Sequence, residues 1–237
     1  MSNVESWDRI AARARTDPPV DVISYGPDGP TEDELRLIGD VAGKRVLDLG
    51  TGTGHAAIAF SKQGAVVIAV DASTGQLERA RSIAEREEVR LEWHQGDLAD
   101  LAFLRADSID LAFSAFALSE VEDLDRLFRQ VHRVLRASSV FVFSYEHPLA
   151  LCVGPDPSAG PDPEVVERLV VTEPYFAERS IIVEREGEPI VMFQRTVGEV
   201  FAALGRAGFR IETIVEPRPD ARPVPTTIVW RARKEGV

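Results

Sequence analysis

The stretch from Val46 to Phe60 reads VLDLGTGTGHAAIAF, and three glycines in five residues separate an apolar run from an alanine-rich one. A strand that ends in such a turn and reopens as a helix sets a ligand against bare backbone. It also leaves the first N–H groups of the helix free for polar or anionic atoms. The implied ligand is nucleotide-like. A dinucleotide fingerprint needs G-x-G-x-x-G, but here the glycines are Gly50, Gly52 and Gly54, and His55 stands at the last required position. Glycine also serves tight turns and close helix packing, so the triplet alone leaves both roles open.

Two carboxylates narrow the choice. Asp71 ends the apolar run VIAVDAS, where its oxygens can accept from both hydroxyls of a ribose lying over the sheet's carboxyl edge. Asp97, in QGDLADL, falls at the end of the next strand on the same edge and can accept from an adenine amino group. Each could instead cap a helix. Together with GTGTG they describe an adenosine site.

The elements that must position these residues follow from periodicity. Residues 3–15 read as an amphipathic helix. Thr31 and Glu34 form a capping box for a second helix, carried on by Leu35, Ile38 and Val41. Then KRVLDLG, AVVIAVD, RLEWHQGD, SIDLAFS and SVFVFSYEH read as strands. HAAIAFSKQG, GQLERARSIAERE and DLDRLFRQVHRVL read as the helices among them. Such alternation predicts an α/β fold, a mostly parallel sheet with helices on both faces. After His147 the pattern breaks. A proline-rich stretch leads to SIIVEREGEPIVMFQ, two alternating strands about a turn, and order returns with TVGEVFAALGRAG as helix and FRIETIVEP and TTIVWRARK as strands.

Composition bounds the partners. The 237 residues carry a net charge of −12 and no basic stripe, which argues against nucleic acid and for a small molecule. Cys152 is the single cysteine, so neither a disulfide framework nor a cysteine-based metal site is expected. No apolar run approaches the ~20 residues that span a bilayer, and no signal peptide is recognised. A cytoplasmic monomer or homodimer, without membrane association, is the expectation.

With VLDLGTGTG, AVDAS, QGDLADL and SIDLAFSAFALSEVEDLDRLFRQVHRVLR in place, the sequence resembles the class I S-adenosylmethionine-dependent methyltransferases, in particular the small-molecule group of the ubiquinone and menaquinone enzymes. The resemblance implies a Rossmann-like seven-stranded sheet with an antiparallel final hairpin. The order of elements divides the single domain into N-terminal helices and a substrate-side loop (1–44), a cofactor core (45–147), an insertion expected to form a lid after the fifth strand (148–195) and a C-terminal helix with the last two strands (196–237). The resemblance implies S-adenosylmethionine as cofactor, with Gly50 to Gly54 cradling the methionine part and Asp48 beneath, Asp71 on the ribose, Asp97 and Leu98 at the adenine, and Ser114 and Ala115 at the methionine end. Thr51, His55, Ala72 and Gln76 complete the expected cofactor contacts. The sequence departs from the family at Ser119 and Glu120, where a His-His pair is frequent, so no imidazole stands there.

Methyl transfer from a sulfonium is an in-line displacement that needs a positioned nucleophile and, for a hydroxyl, a base. His147, held extended by Pro148, is the candidate base and Glu146 its rival. Tyr25, Ser119, Tyr175, Phe176, Met192 and Phe193 are candidate substrate contacts and suggest a largely apolar or aromatic acceptor. Two alternatives remain at this point: a non-catalytic binder of the same cofactor, and a nicotinamide-dependent reductase.

Overall fold

The computed structural model describes residues 2–27, 29–156, 168–176, 179–218 and 222–236. Seven strands form one sheet: β1 (Arg45–Leu49), β2 (Val66–Asp71), β3 (Glu92–Gln95), β4 (Ile109–Ala115), β5 (Leu135–Glu146), β10 (Phe209–Val215) and β11 (Thr227–Lys234). Their order is β10-β11-β5-β4-β1-β2-β3. Strands β1 to β5 run parallel, whereas β11 lies antiparallel between β5 and β10. The order reverses between β1 and β4, and ligands of open α/β sheets collect at the carboxyl edge there.

Strands β1, β4 and β5 are apolar on both faces because helices cover both. On one side Leu47, Leu49, Phe128, Phe141, Phe143 and Trp230 form a core with α5 (Leu124–Val134) and α6 (Val197–Arg206). On the other, Val46, Val67, Phe113 and Val142 meet Phe60 of α3 (His55–Lys62). The helix α4 (Thr74–Arg86) starts at Ser73, whose hydroxyl accepts from the Gln76 N–H.

The N-terminal helix α1 (Asn3–Arg13) forms as expected, with a capping box between Ser2 and Glu5. The helix begun at Thr31 does not reach Val41: α2 is only Glu32–Leu35. The reason is the Glu32 carboxylate, which accepts from the backbone N–H groups of Leu37, Ile38 and Gly39. These bonds turn the chain at Arg36, whose φ is +53°, and supply partners that helical carbonyls would otherwise provide.

Among the described residues of the segment after β5 there are two hairpins. One is short, β6 (Val153–Pro155) with β7 (Leu169–Val171), and was not foreseen from the sequence. The other, β8 (Arg179–Arg185) with β9 (Glu188–Gln194), turns at Glu186 and Gly187 as expected. Its inner residues Ile190 and Met192 pack on Ile10 of α1.

Candidate active site

The carboxyl edge opens into a cavity of about 1450 Å³, walled by α1, residues of the loop at 16–27 and 29–31, Gly50 to Thr53, His55, Asp71 to Ser73, Gln95 to Ala99 and Ala115 to Ala117. The three glycines do different work. Gly50 (φ +70°) lies under Ala117, and a Cβ on it would meet the Ala117 Cβ at 2.2 Å. A Cβ on Gly54 would crowd Ala80 and Trp93 at 3.1 Å. Gly52 (φ +53°) has nothing nearer than Gln76 Oε1 at 4.0 Å, so its missing side chain leaves room in the cavity. The bare backbone at Gly52 therefore fits a bound ligand, while Gly50 and Gly54 let elements approach.

Asp71 braces this loop. Its Oδ2 accepts from the Gly52 N–H at 2.8 Å and its Oδ1 from the Ser73 N–H at 2.9 Å. The Ala72 N–H also bears on this carboxylate, and the lone-pair capacity left over is available to a ligand hydroxyl. Asp48 lies buried beneath, accepting from Thr51 Oγ1 at 2.6 Å. Burial pushes its carboxyl up to about 7, the Thr51 bond opposes the rise and the nearby Asp71 charge adds to it. Asp97 holds its own loop through the Ala99 N–H at 2.8 Å and lines the cavity beside Leu98. Burial keeps His55, also on the wall, shifted toward the neutral imidazole. Ala72, Gln76 and Ala115 line the cavity too. Ser114 does not: it is fully buried and donates to the Leu49 carbonyl at 2.7 Å, tying β4 to β1.

The candidate catalytic and substrate residues are dispersed. His147 lies outside the described cavity wall, its Nε2 2.8 Å from Glu216 Oε1 and its Nδ1 accepting from the Leu149 N–H at 3.1 Å. Glu146 accepts from Ser119 Oγ at 2.9 Å and pairs with Arg185. Tyr25 is fully buried against Phe113, with its hydroxyl 2.5 Å from Glu32 Oε2. Tyr175 and Phe176 stack edge to face, Phe176 being exposed. Met192 is buried against α1, and Phe193 carries Arg195 over its ring at 5.6 Å. Of residues 148–195, only Glu186 is among the described residues on the cavity wall.

One residue at the site was read from sequence only as a missing histidine. Glu120, in the 3₁₀ turn Leu118–Glu120, lines the cavity, and its Oε2 accepts from Asn3 Nδ2 and Trp7 Nε1 of α1, both at 2.9 Å. Burial raises its carboxyl to about 7; the Trp7 and Asn3 bonds oppose this, and the charges of Glu146 and Asp71 reinforce it. The helix α1 is held elsewhere as well. Asp8 Oδ1 accepts from Ser73 Oγ at 2.6 Å and the Gly75 N–H at 2.8 Å, and Glu188 receives Arg9 and Arg13 at 2.7 Å each.

A family model described as a methyltransferase domain matches residues 46–138. The crystal structure of an S-adenosylmethionine-dependent methyltransferase from Mesorhizobium loti is 34% identical, covering 85% of this chain and 96% of that one with a TM-score of 0.69. The chain belongs to the class I S-adenosylmethionine-dependent methyltransferases. A candidate methyltransferase of the same cofactor from Listeria monocytogenes superposes with a TM-score of 0.71 at 27% identity, covering 86% of this chain and 98% of that one. The demethylmenaquinone methyltransferase of Clavibacter sepedonicus is 37% identical over 101 residues, which is 43% of this chain and 40% of that enzyme. The cofactor of this methyltransferase is S-adenosylmethionine, and a nicotinamide dinucleotide is set aside. Among the described residues no helix is long and apolar enough to cross a membrane, and no group of three potential metal ligands occurs.

Proposed function

We propose that this methyltransferase acts on a small, largely apolar acceptor bound in the same cavity as the cofactor, between α1 and the turn at Ala117–Glu120. The observation that carries this is size. A volume of about 1450 Å³ exceeds the roughly 300–1,000 Å³ of an ordinary small-molecule pocket. Beyond the loop Gly50 to Thr53, the remaining wall includes Trp7, Ile10, Ala11, Ala14, Val22, Phe116 and Val121, all apolar or aromatic.

The cofactor supplies an electrophilic methyl group. The fold binds it through Gly52, Asp71, Asp97 and Leu98, and α1 with the loop residues at 16–27 and 29–31 limits access of water to the reacting atoms. The β8–β9 hairpin then acts at second hand, with β9 clamping α1 through Met192, Glu188 and the Val191 backbone, which exchanges two 2.8 Å bonds with Asn3. In this reading His147 positions the end of β5 relative to Glu216, and the acceptor's nearest ionisable neighbour is Glu120.

The test is incubation with S-adenosylmethionine and a panel of aromatic amines, phenols, quinols and carboxylic acids, with methylated product identified by mass and S-adenosylhomocysteine quantified. Product from one class at the expense of the others supports the reading. Acceptance of protein or nucleic acid, with no small acceptor turned over, overturns it.

A further inference from the structure

Resting on that reading, we infer that the acceptor is an amine, held through its N–H by Glu120 Oε1, which also receives the proton the nitrogen must shed. Three observations converge. First, both donors that reach Glu120, from Asn3 and Trp7, go to Oε2. A carboxylate has lone pairs on both oxygens, so Oε1 retains its acceptor capacity at the cavity wall. The α1 bonds fix the side chain, and little ordering is left for a ligand to impose.

Second, acidic side chains outnumber basic ones on the described cavity wall. Among the described wall residues the cations are Arg79 and Arg126. Arg79 pairs with Asp17 at 2.7 Å and with the Thr16 carbonyl through Nε and Nη2, its Nη1 having no hydrogen-bond partner among the described residues, and Arg126 faces Asp100 at 3.5 Å. His55 is held toward its neutral form. A carboxylate ligand held at Glu120 would set two like charges side by side, which is unfavourable. An ammonium would neutralise Glu120 instead.

Third, the wall beside Glu120 is aromatic. Trp7 and Phe116 both line the cavity, and ring faces attract cations. Phe116 is held there at φ +58°, with its ring against Gly26, where a Cβ would lie 2.3 Å away. A non-glycine residue in that region is strained and persists where the surroundings over-determine it.

The proton step balances without a further reagent. An entering ammonium gives one proton to the Glu120 carboxylate, yielding a neutral amine with a free lone pair and a neutral carboxyl. Every charged group facing Glu120 bears on this step. Asp71 and Glu146 raise its proton affinity, Arg185 offsets Glu146, and the Trp7 and Asn3 donors lower it.

The experiment loads the protein with S-adenosylhomocysteine, which permits no turnover, and measures binding of three matched probes by calorimetry: phenethylamine, phenethyl alcohol and hydrocinnamate. Phenethylamine is expected to bind at least ten-fold more tightly than the other two. Its affinity should rise as pH passes upward through about 7. Glu120→Gln should abolish that preference and leave S-adenosylhomocysteine affinity within two-fold, while Glu120→Asp should restore part of it. Equal or tighter binding of hydrocinnamate or the alcohol, failure of the amine to bind the loaded protein, or an unchanged preference in Glu120→Gln overturns the inference. Methylation of a carboxylic acid or phenol in the acceptor panel would overturn it while leaving small-molecule methyl transfer intact. Absence of any small methylated product would strike that broader reading instead.

Discussion

Gly50 and Ala117 approach until no Cβ fits between them, the hypothetical contact being 2.2 Å, while Gly52, two residues on, faces open cavity. The two glycines should therefore fail differently. Gly50→Ala is expected to destabilise the fold by about 2–4 kcal/mol, from overpacking plus left-handed strain. Gly52→Ala should cost only about 1–2 kcal/mol of stability while weakening S-adenosylmethionine binding about ten-fold. Denaturant titration and calorimetry on both variants separate the effects, and equal losses in both assays would refute the division.

Asp71 should show a double effect. Because its oxygens accept from Gly52 and Ser73, Asp71→Ala is expected to remove about 1–2 kcal/mol of stability as well as about 2 kcal/mol of cofactor affinity. Comparing the melting curve of the cofactor-free variant with its binding isotherm checks both.

The Asp48 carboxyl gives a pH signature. Its folded value, about 7, lies above the ordinary carboxylate value, so the folded state binds the extra proton. That stabilisation is full below about pH 4 and is lost as pH rises through about 7. Asp48→Asn should thus be more stable than the parent at pH 8, by about 1–3 kcal/mol, and nearly neutral at pH 4. A positive charge bound nearby favours the ionised form. Loading with S-adenosylmethionine at pH 7 should accordingly release a fraction of a proton, and S-adenosylhomocysteine less. Calorimetry in buffers of different ionisation enthalpy measures the release.

The hold of α1 on the site should be kinetic. Asp8→Ala removes the acceptor for Ser73 Oγ and the Gly75 N–H, and is expected to speed cofactor dissociation about ten-fold with loss of amide protection confined to α1. Stopped-flow displacement and hydrogen exchange provide the readouts. Unchanged dissociation would mean that α1 does not govern release.

His147→Ala should lower stability by about 1–2 kcal/mol through loss of its bonds to Glu216 and Leu149. The pH dependence of turnover should keep its midpoint, and a shifted midpoint would return His147 to the role of base.

The sheet and its helices were legible because alternation and 3.6-residue periodicity encode which face is buried, as in β2 with Val67 and Ala69 toward one core and Ile68 and Val70 toward the other. The sequence could place Asp71 and the glycine loop together at one strand-end edge, but not divide the glycines, since Gly50 and Gly54 serve close packing and only Gly52 faces open cavity. The full length expected after Thr31 was not, since one carboxylate, Glu32, redirected the chain, and periodicity cannot register a side chain competing for backbone donors. Nor could the sequence say where α1 and the 179–194 hairpin would lie, because an amphipathic pattern declares that a face is covered without naming the cover. Glu120 was overlooked for a related reason. Judged against the family pattern it was an absent imidazole, and its ties to Asn3 and Trp7 join residues more than a hundred positions apart. A glutamate at a strand-end turn facing an N-terminal tryptophan is the signal that could have raised the question.

The placement of β11 between β5 and β10 carries a consequence for biogenesis. On a ribosome β5 emerges well before β11, and its second edge stays open until the whole insertion, α6 and β10 have been made, and β10 itself has no partner in the sheet before β11 arrives. The nascent chain must therefore carry an unpaired, strongly apolar strand edge through much of translation, a template for wrong pairing with neighbouring chains. Chaperone occupancy should peak in that interval and fall once Thr227–Lys234 is released.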